Sequence, residues 1–407
     1  MHLEGTDNSP LPVFPAKPVS RLRAVSRAQF FLVTIFCVAI PGFASIKAVL
    51  IVLLWAAIAL TSELRLRTVF WFLSVVLGLV FCGEIALLHS VAIADFLNHL
   101  SRLFLFFLVL GIGAYMARSQ TFHLPNIDSL ILVVATIAAG LKIAILAAIA
   151  SGMATFDSVQ NALGFESVTD SIGFGLQRLQ FPSDILLIFL LVCYSGRRKL
   201  LDMLFLLSAT ASIFLSFSRY LFVAYMLCLL IRCLRIRRLD LISGAALGLS
   251  LVLIAIFSVS LTGRFRSEGS KVSDTIRTEQ SRYLLAAISE RPLLGSGIGS
   301  SVNGYKRSET IPFSYEVEWY AMAMQLGFIG LSWFLLNLAA PLLHCIQSTR
   351  GRVMLGAVLA VWVIGGFTNP FLVSLGSAFG LSILMMTLAA QERSVAMQSA
   401  LLQPPQL

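Results

Sequence analysis

Glu316 and Glu318 are the acidic residues best placed for chemistry, because they stand just before an apolar run that begins near Tyr320. A carboxylate beside a water-filled pocket can act as a general base on a hydroxyl group, a role worth about 10² to 10⁴ in rate. Each can equally be an acid that the positive end of a helix dipole favours. Two positions apart on a helix, the side chains point roughly 200° from each other, so we expect at most one to be catalytic.

Arg219 is the cation best suited to bind a phosphate. The chain from Leu200 to Ile231 is apolar apart from Asp202 and a short break at Ser216–Tyr220, which contains Arg219. A planar guanidinium in that break can form two parallel hydrogen bonds to a phosphate. It can also belong to an arginine that only reaches the headgroup level between two helices. Both interpretations place Arg219 at a membrane surface.

Two polar segments contain the other candidate cations. The segment near residues 263–317 has eight basic residues, among them Arg277 and Arg282, and the segment near residues 151–182 has Arg178. Some of the eight can bind an anionic substrate presented at the membrane surface. Neighbouring carboxylates can also neutralise most of them as solvated pairs, and such a pair is the default expectation for Arg178.

The sequence GSGIG at Gly295–Gly299 is not a dinucleotide-binding fingerprint. Ser300 stands where a third glycine is required, and no predicted strand precedes the motif. The glycines either form a plain turn or bring backbone N–H groups close to an anion.

The elements that carry these residues are predicted to be membrane-spanning helices. Of the 407 residues 58% are hydrophobic and only 12% are charged, against about 25% charged in a soluble domain. The apolar stretches, about 16 to 23 residues each, can cross a hydrocarbon core about 30 Å thick, and they lack the alternating polarity of a membrane barrel. We therefore predict an all-α integral membrane protein with about twelve transmembrane helices and two long loops on one face.

Short basic connectors set the predicted orientation. With twelve spans they all fall on one side, which the positive-inside rule makes cytoplasmic; they lie at residues 21–27, 65–67, 118, 197–199, 232–238 and 350–352. We predict a disordered cytoplasmic N-terminal tail (1–27), a transmembrane domain (28–390) and a cytoplasmic C-terminal tail (391–407). Long loops near 151–182 and 263–317 then lie on the opposite face.

Several classes of site are not supported by the sequence. The net charge of +10 lies mostly in the connectors, which indicates topology and not nucleic-acid binding. The six cysteines lie in or beside apolar runs and the five histidines do not cluster, so no disulfide, metal or cofactor site is predicted. Glu84 and Lys142 lie inside apolar runs, and an internal ion pair is the expected reason for Lys142.

The order of motifs in the second half resembles that of a known family. Ser218-Arg219 precedes a long polar segment with Arg277 and Arg282. The sequence ERPLLGSGIG follows, then a polar residue at Glu316 and then QLGFIGL. This order is similar to the O-antigen polymerase and ligase superfamily of bacterial envelope glycan assembly. The resemblance is concentrated between about Leu215 and Leu331.

The resemblance implies an enzyme that takes a glycan from a polyprenyl diphosphate and joins it to an acceptor hydroxyl with inversion, without a metal or a nucleotide sugar. It assigns Arg219, Arg277 and Arg282 to the diphosphate or its neighbouring sugars and Glu316 to the acceptor, with Arg219 and Glu316 as catalytic residues. Further candidate contacts to the diphosphate or sugars are Arg178, Tyr305, Gly295, Gly297 and Gly299.

The residue at the acceptor position favours one branch of the family. Ligases of this family typically carry a histidine, often followed by asparagine, where this sequence has Glu316-Val317. A carboxylate there resembles the polymerase branch, which joins repeat units into O-antigen, capsule or exopolysaccharide at the periplasmic face of the inner membrane. The alternatives are a ligase that moves glycan onto lipid A core and, from another class, a twelve-helix transporter. Expected partners are the lipid-linked oligosaccharide and membrane lipids, with a chain-length regulator and a flippase as candidates.

Overall fold

The protein is built from helices packed side by side, as described by a computed structural model. The structure describes residues 27–40, 42–61, 66–119, 124–155, 157–159, 171–173, 176–177, 179–181, 184–194, 199–216, 218–236, 244, 248, 252, 268–302, 304–306, 311–344, 346, 349–368 and 371–401. Arg178, most of the span predicted at 241–262 and nearly all of the N-terminal tail lie outside these residues.

Twelve helices of ten residues or more lie within the described residues. They are α1 (Arg27–Ala39), α2 (Ala44–Thr61), α3 (Leu66–Leu88), α4 (Ile93–Arg118), α5 (Leu124–Ala150), α6 (Asp184–Cys193), α7 (Lys199–Ser216), α8 (Arg219–Ile236), α9 (Glu268–Glu290), α10 (Glu318–His344), α11 (Thr349–Gly365) and α12 (Leu375–Leu401). A short antiparallel hairpin, β1 (Ser171–Gly173) and β2 (Leu176–Gln177), lies between α5 and α6.

The helices confirm the predicted class of an all-α, multi-pass membrane protein. Eleven of the twelve predicted spans coincide with helices of the described residues. Five of these, namely α3, α4, α5, α10 and α12, are long and apolar enough to cross a membrane, and the other six are shorter. Large apolar side chains such as Leu60, Leu77 and Leu88 are exposed on α2 and α3, as expected of surfaces that face lipid.

The helix α9 is an addition to the sequence-based picture, which expected a loop at these residues. Its Leu284, Ala287 and Ile288 share one face, because residues three and four apart are neighbours on a helix. That face packs against α10 and the residues before it, in a small apolar cluster with Tyr315 and Val317. The opposite face is polar, so the segment reads as a loop in a hydropathy profile.

The bundle is centred on α12, which packs most extensively against α4 and α6. All ten residues of α6 are buried, and α6 also packs against α7 and α8. Between α4 and α12, the Ser382 hydroxyl donates to the carbonyl of Val109 at 3.0 Å. The core is therefore assembled from helices far apart in the sequence.

Lys142 forms the internal ion pair expected from the sequence. Its Nζ lies 2.6 Å from Oδ1 of Asp184, and both side chains are at most 1% exposed. The same ammonium donates to the Ser212 carbonyl at 2.9 Å, while the second carboxylate oxygen accepts from the Phe181 N–H at 3.0 Å. The pair joins α5, α6 and α7. Glu84, in contrast, lies exposed on α3.

A loop of the chain forms backbone hydrogen bonds with α10 in place of bonds within that helix. The glycine loop (residues 291–300) supplies two N–H donors to carbonyls of α10, and two of its carbonyls accept N–H groups of α10. The four bonds are Ser296 to Met324 (2.8 Å), Gly297 to Gln325 (2.9 Å), Phe328 to Pro292 (2.8 Å) and Ile329 to Leu293 (3.1 Å), donor first. In an unbroken helix, Met324 and Gln325 would accept from Phe328 and Ile329. The break lies at Gly327, with φ 62° and ψ 178°.

Gly327→Ala is expected to destabilise the protein. The backbone angles of Gly327 lie in a region that only glycine populates, and an added Cβ would lie 2.3 Å from the Leu293 carbonyl oxygen. We expect a loss of about 2 to 3 kcal/mol, measured as a lower melting temperature of the purified protein in detergent. Gly356→Ala in α11 is the control, because nothing lies within 4 Å of its added Cβ. Equal melting temperatures of the two variants would contradict this arrangement of the glycine loop and α10.

Lys142→Met is expected to cost about 3 to 5 kcal/mol, because it leaves the Asp184 carboxylate buried and without its cation. The double variant Lys142→Met/Asp184→Asn removes both charges and keeps an acceptor for the Phe181 N–H. We expect the double variant to regain most of the lost stability in the same melting experiment. A double variant as unstable as the single one would contradict the assignment of a paired charge.

Candidate functional site

The centre of the site is an ion pair between two predicted site residues. Arg277 lies on α9 and Glu316 lies in the pre-α10 segment (residues 311–317). Nε of Arg277 donates to Oε2 of Glu316 at 2.7 Å, and the two side chains are 26% and 18% exposed. Because both side chains are partly exposed, water screens the attraction between them. The pair therefore remains accessible to a ligand.

Gln280 fixes the backbone at Glu316. It follows Arg277 by one turn of α9, is fully buried, and its Oε1 accepts the N–H of Glu316 at 2.9 Å. Sequence reasoning missed this residue, since nothing local in the sequence connects positions 280 and 316. The backbone of the candidate base is thus held by the same helix as its cationic partner.

Arg282 and Tyr305 lie on either side of one tyrosine. The guanidinium of Arg282 lies 5.4 Å from the ring centroid of Tyr283, and the ring of Tyr305 stacks on Tyr283 at 5.4 Å with planes 24° apart. Arg282 is exposed and Tyr305 is half-buried. The next tyrosine, Tyr315, is buried, which raises the pKa of its phenol, and its oxygen accepts the N–H of Val302 at 2.8 Å.

Glu318 has a different partner from Glu316, in agreement with the opposite directions predicted for the two side chains. Its carboxylate accepts the N–H groups of Leu372 (2.6 Å) and Val373 (3.1 Å), just before α12 begins. Unpaired N–H groups at a helix start favour such an anion. Glu318 therefore ties the start of α10 to the start of α12, and Glu316 stays the candidate for a catalytic carboxylate.

The glycines at 295, 297 and 299 are explained by packing. All three have positive φ values, of 72°, 93° and 83°, and a Cβ on Gly297 would lie 2.3 Å from the Cα of Ala86 in α3. Their N–H groups donate within the protein, to the Arg291 carbonyl, the Gln325 carbonyl and Nδ1 of His99, respectively. Direct contact of these N–H groups with an anion stays a prediction. All three N–H groups already donate to acceptors within the protein.

The pre-α10 segment is held by side chains that the sequence did not single out. The ring of Phe313 stacks on His99 of α4 at 4.9 Å, and the guanidinium of Arg102 lies 5.3 Å from the same ring. Gln325 of α10 donates to the carbonyls of Ser300 and Phe313, at 2.9 and 3.1 Å. These contacts join the glycine loop and the segment to α4 and α10. Their signal in the sequence is only a polar residue within an apolar run.

Arg219 is the first residue of α8, and its side chain lies outside the described part of the structure. The next residue locates it: Tyr220 donates its hydroxyl hydrogen to the Val361 carbonyl near the end of α11. Just past that end, the carbonyl of Gly366 accepts the N–H of Trp319, beside Glu318. The start of α8 therefore lies at the same end of the bundle as the start of α10.

Within the described residues, no group of three or more histidine, cysteine or acidic side chains is arranged to hold a metal ion. Of the predicted residues, the structure brings Arg277 and Glu316 into contact and places Arg282 and Tyr305 around Tyr283. It leaves Arg178 undescribed.

Comparison with known proteins gives one family. Residues 200–335 match the model of the family described as O-Antigen ligase. No curated protein and no solved structure gives a significant match. The matched region runs from α7 into α10 and includes Arg219, Arg277, Tyr305 and Glu316. It indicates a function of the O-antigen ligase or polymerase type. Residues 200–335 therefore match the O-antigen ligase family, in agreement with the resemblance to the O-antigen polymerase and ligase superfamily.

Proposed function

We propose that this protein polymerises polyprenyl-diphosphate-linked oligosaccharide repeat units into a surface polysaccharide. The reaction takes place at the periplasmic face of the bacterial inner membrane, by inverting transfer that uses no metal. The observation that supports this most strongly is the Arg277–Glu316 pair at 2.7 Å within the matched domain. It joins a candidate base and a candidate phosphate ligand in one water-accessible place.

The reaction forms one bond and breaks one. The oxygen of an acceptor hydroxyl attacks the anomeric carbon of the donor glycan, while the Glu316 carboxylate takes the hydroxyl proton. The bond from the anomeric carbon to the diphosphate oxygen breaks, and polyprenyl diphosphate leaves with the electron pair. Guanidinium groups of Arg219, Arg277 and Arg282 stabilise the charge that develops on this leaving group.

The ion pair describes the state before the donor binds. In this pair Oε2 of Glu316 accepts the hydrogen bond of Arg277, so this oxygen is not available to the proton of a hydroxyl group. A diphosphate has more negative charge than Glu316 and can replace it as the partner of Arg277. The exchange is easy because the pair is partly exposed. Binding of the donor therefore releases Glu316 for its work as a base.

The apolar helices provide a place for the polyprenyl tail. A groove of about 590 Å³ lies between α3 and α10 and is lined by apolar side chains that include Leu77, Phe81, Ile329 and Trp333. Gly297 of the glycine loop packs on Ala86 of α3, near one end of this groove. A tail in the groove would thus bring its diphosphate towards the glycine loop.

In this proposal twelve spans place both termini in the cytoplasm, and a chain-length regulator and a flippase are partners.

A ligase that transfers glycan onto lipid A core is the second candidate, favoured by the description of the matched family. The acceptor distinguishes the two. A polymerase extends lipid-linked repeat units when these are the only glycan supplied, whereas a ligase yields product only when lipid A core is added.

Glu316→Ala is expected to lower the rate of chain growth by about 10² to 10⁴, because the acceptor hydroxyl loses its base. Arg219→Ala and Arg277→Ala are each expected to lower it by about 10² to 10³, because the diphosphate loses a charge-stabilising donor. The measurement follows the length of glycan formed by purified protein from lipid-linked repeat units. Arg352→Ala is the control, since Arg352 is exposed near the start of α11. Full activity of both Arg219→Ala and Glu316→Ala would overturn the assignment.

The two carboxylates are expected to respond in opposite ways to replacement by glutamine. Glu316→Gln should stop chain growth with little change in melting temperature, because its ion pair is partly exposed. Glu318→Gln should cost about 1 to 3 kcal/mol, since an amide can accept only one of the two N–H groups that the carboxylate now accepts. Melting curves and transfer rates of the two variants, measured side by side, test this division. A stable, fully active Glu318→Gln together with an unfolded Glu316→Gln would reverse it.

A further inference from the structure

Gln280 carries a hydrogen-bond donor that the fold does not use. Its Oε1 accepts the N–H of Glu316 at 2.9 Å, which also fixes which end of the amide is oxygen and which is nitrogen. Its Nε2 is buried and has no hydrogen-bond partner among the described residues. Buried polar groups in native proteins are nearly always paired, so an unpaired donor needs an explanation.

An apolar side chain would suit the surroundings of Gln280 better if packing were its sole role. The cluster that α9 forms with the pre-α10 segment contains Leu284, Tyr315 and Val317. An amide in this place leaves one donor unsatisfied, which opposes folding. Departures of this kind from the usual rules are expected where a protein binds a ligand.

The position of the amide indicates the kind of ligand. The carboxamide of Gln280 touches the backbone of Glu316, and Arg277 one turn earlier on α9 touches the side chain of the same residue. A donor beside a candidate base and a candidate phosphate-binding arginine lies next to the place where the substrate of that base would bind. The hydroxyl and ring oxygens of a glycan are acceptors, and an amide N–H is a donor that matches them.

We propose that Gln280 has two functions in the working enzyme: its oxygen positions Glu316, and its Nε2 donates a hydrogen bond to an oxygen of the acceptor glycan. The proposal rests on the glycan transfer proposed above. In the substrate-free state the contact of α9 with the pre-α10 segment covers the amide. The exchange of Arg277 from Glu316 to the diphosphate loosens that contact and admits the glycan to the donor.

Two variants of the full-length protein separate the two functions. Gln280→Glu keeps an oxygen that accepts the N–H of Glu316 but has no N–H to donate, whereas Gln280→Leu removes both groups. The probe is polyprenyl-diphosphate-linked oligosaccharide extracted from cells that lack this protein, with chain growth followed over a range of concentrations. Glu279→Gln, an exposed neighbour on α9, is the matched control.

We expect both Gln280 variants to lose about ten-fold or more in kcat/KM, with a raised KM, because both lack the donor to the glycan. The melting temperature of Gln280→Leu should stay near that of the wild type, because removal of the unpaired Nε2 offsets the loss of the acceptor for the Glu316 N–H. A purely structural Gln280 predicts the opposite: a less stable Gln280→Leu and a fully active Gln280→Glu.

Each remaining outcome decides the proposal. Wild-type activity in either Gln280 variant overturns the role of Nε2 and leaves the proposed glycan transfer standing. If Gln280→Leu does not fold, Gln280→Glu alone decides by the same criterion. A wild-type protein that extends no glycan from this probe overturns the proposed polymerase, and the inference about Gln280 falls with it.

Discussion

The exchange of backbone hydrogen bonds between the glycine loop and α10 is the constraint on which the candidate site depends. Around Gly327 the helix lacks two of its own backbone hydrogen bonds, and the glycine loop supplies partners for the groups left without one. A break in a helix within a membrane is tolerated only when other groups satisfy the freed N–H and carbonyl groups. The loop is therefore fixed in register with α10, and the residues on either side of it, α9 and the pre-α10 segment, are brought together.

This arrangement gives a physical reason for the two motifs that carried the family resemblance. ERPLLGSGIG and QLGFIGL are the two halves of one backbone junction. Glycine is needed at Gly327 by its backbone angles and at Gly297 by the close approach of α3. A motif with the composition of a binding loop is here a structural joint, and the candidate catalytic side chains lie on the segments that this joint positions.

The sequence predicted the parts of the structure that depend on composition and on short-range pattern. Apolar runs located eleven helices, and the spacing of Glu316 and Glu318 predicted that they point apart. The ion pair of Lys142 was expected, because an isolated ammonium in an apolar helix is unfavourable. Its partner Asp184 was beyond prediction, since 42 residues separate the two. The helix α9 was missed because its polar face dominates the average hydropathy. Gln280, His99 and Gln325 were missed because their roles come from contacts between distant segments.

The burial of α6 has a consequence for the biosynthesis of the protein. At 1.5 Å per residue its ten residues span only about 15 Å, half of the hydrocarbon thickness. Asp184, the first residue of α6, pairs with a cation on α5, which is synthesised before α6. A large part of the apolar surface of α6, however, is covered by α12, which is synthesised last. At about 5 to 20 residues per second, the ribosome delivers α12 roughly 10 to 40 seconds after α6. During that interval lipid and the helices already inserted surround α6, whose ten residues are too few to cross the hydrocarbon core by themselves.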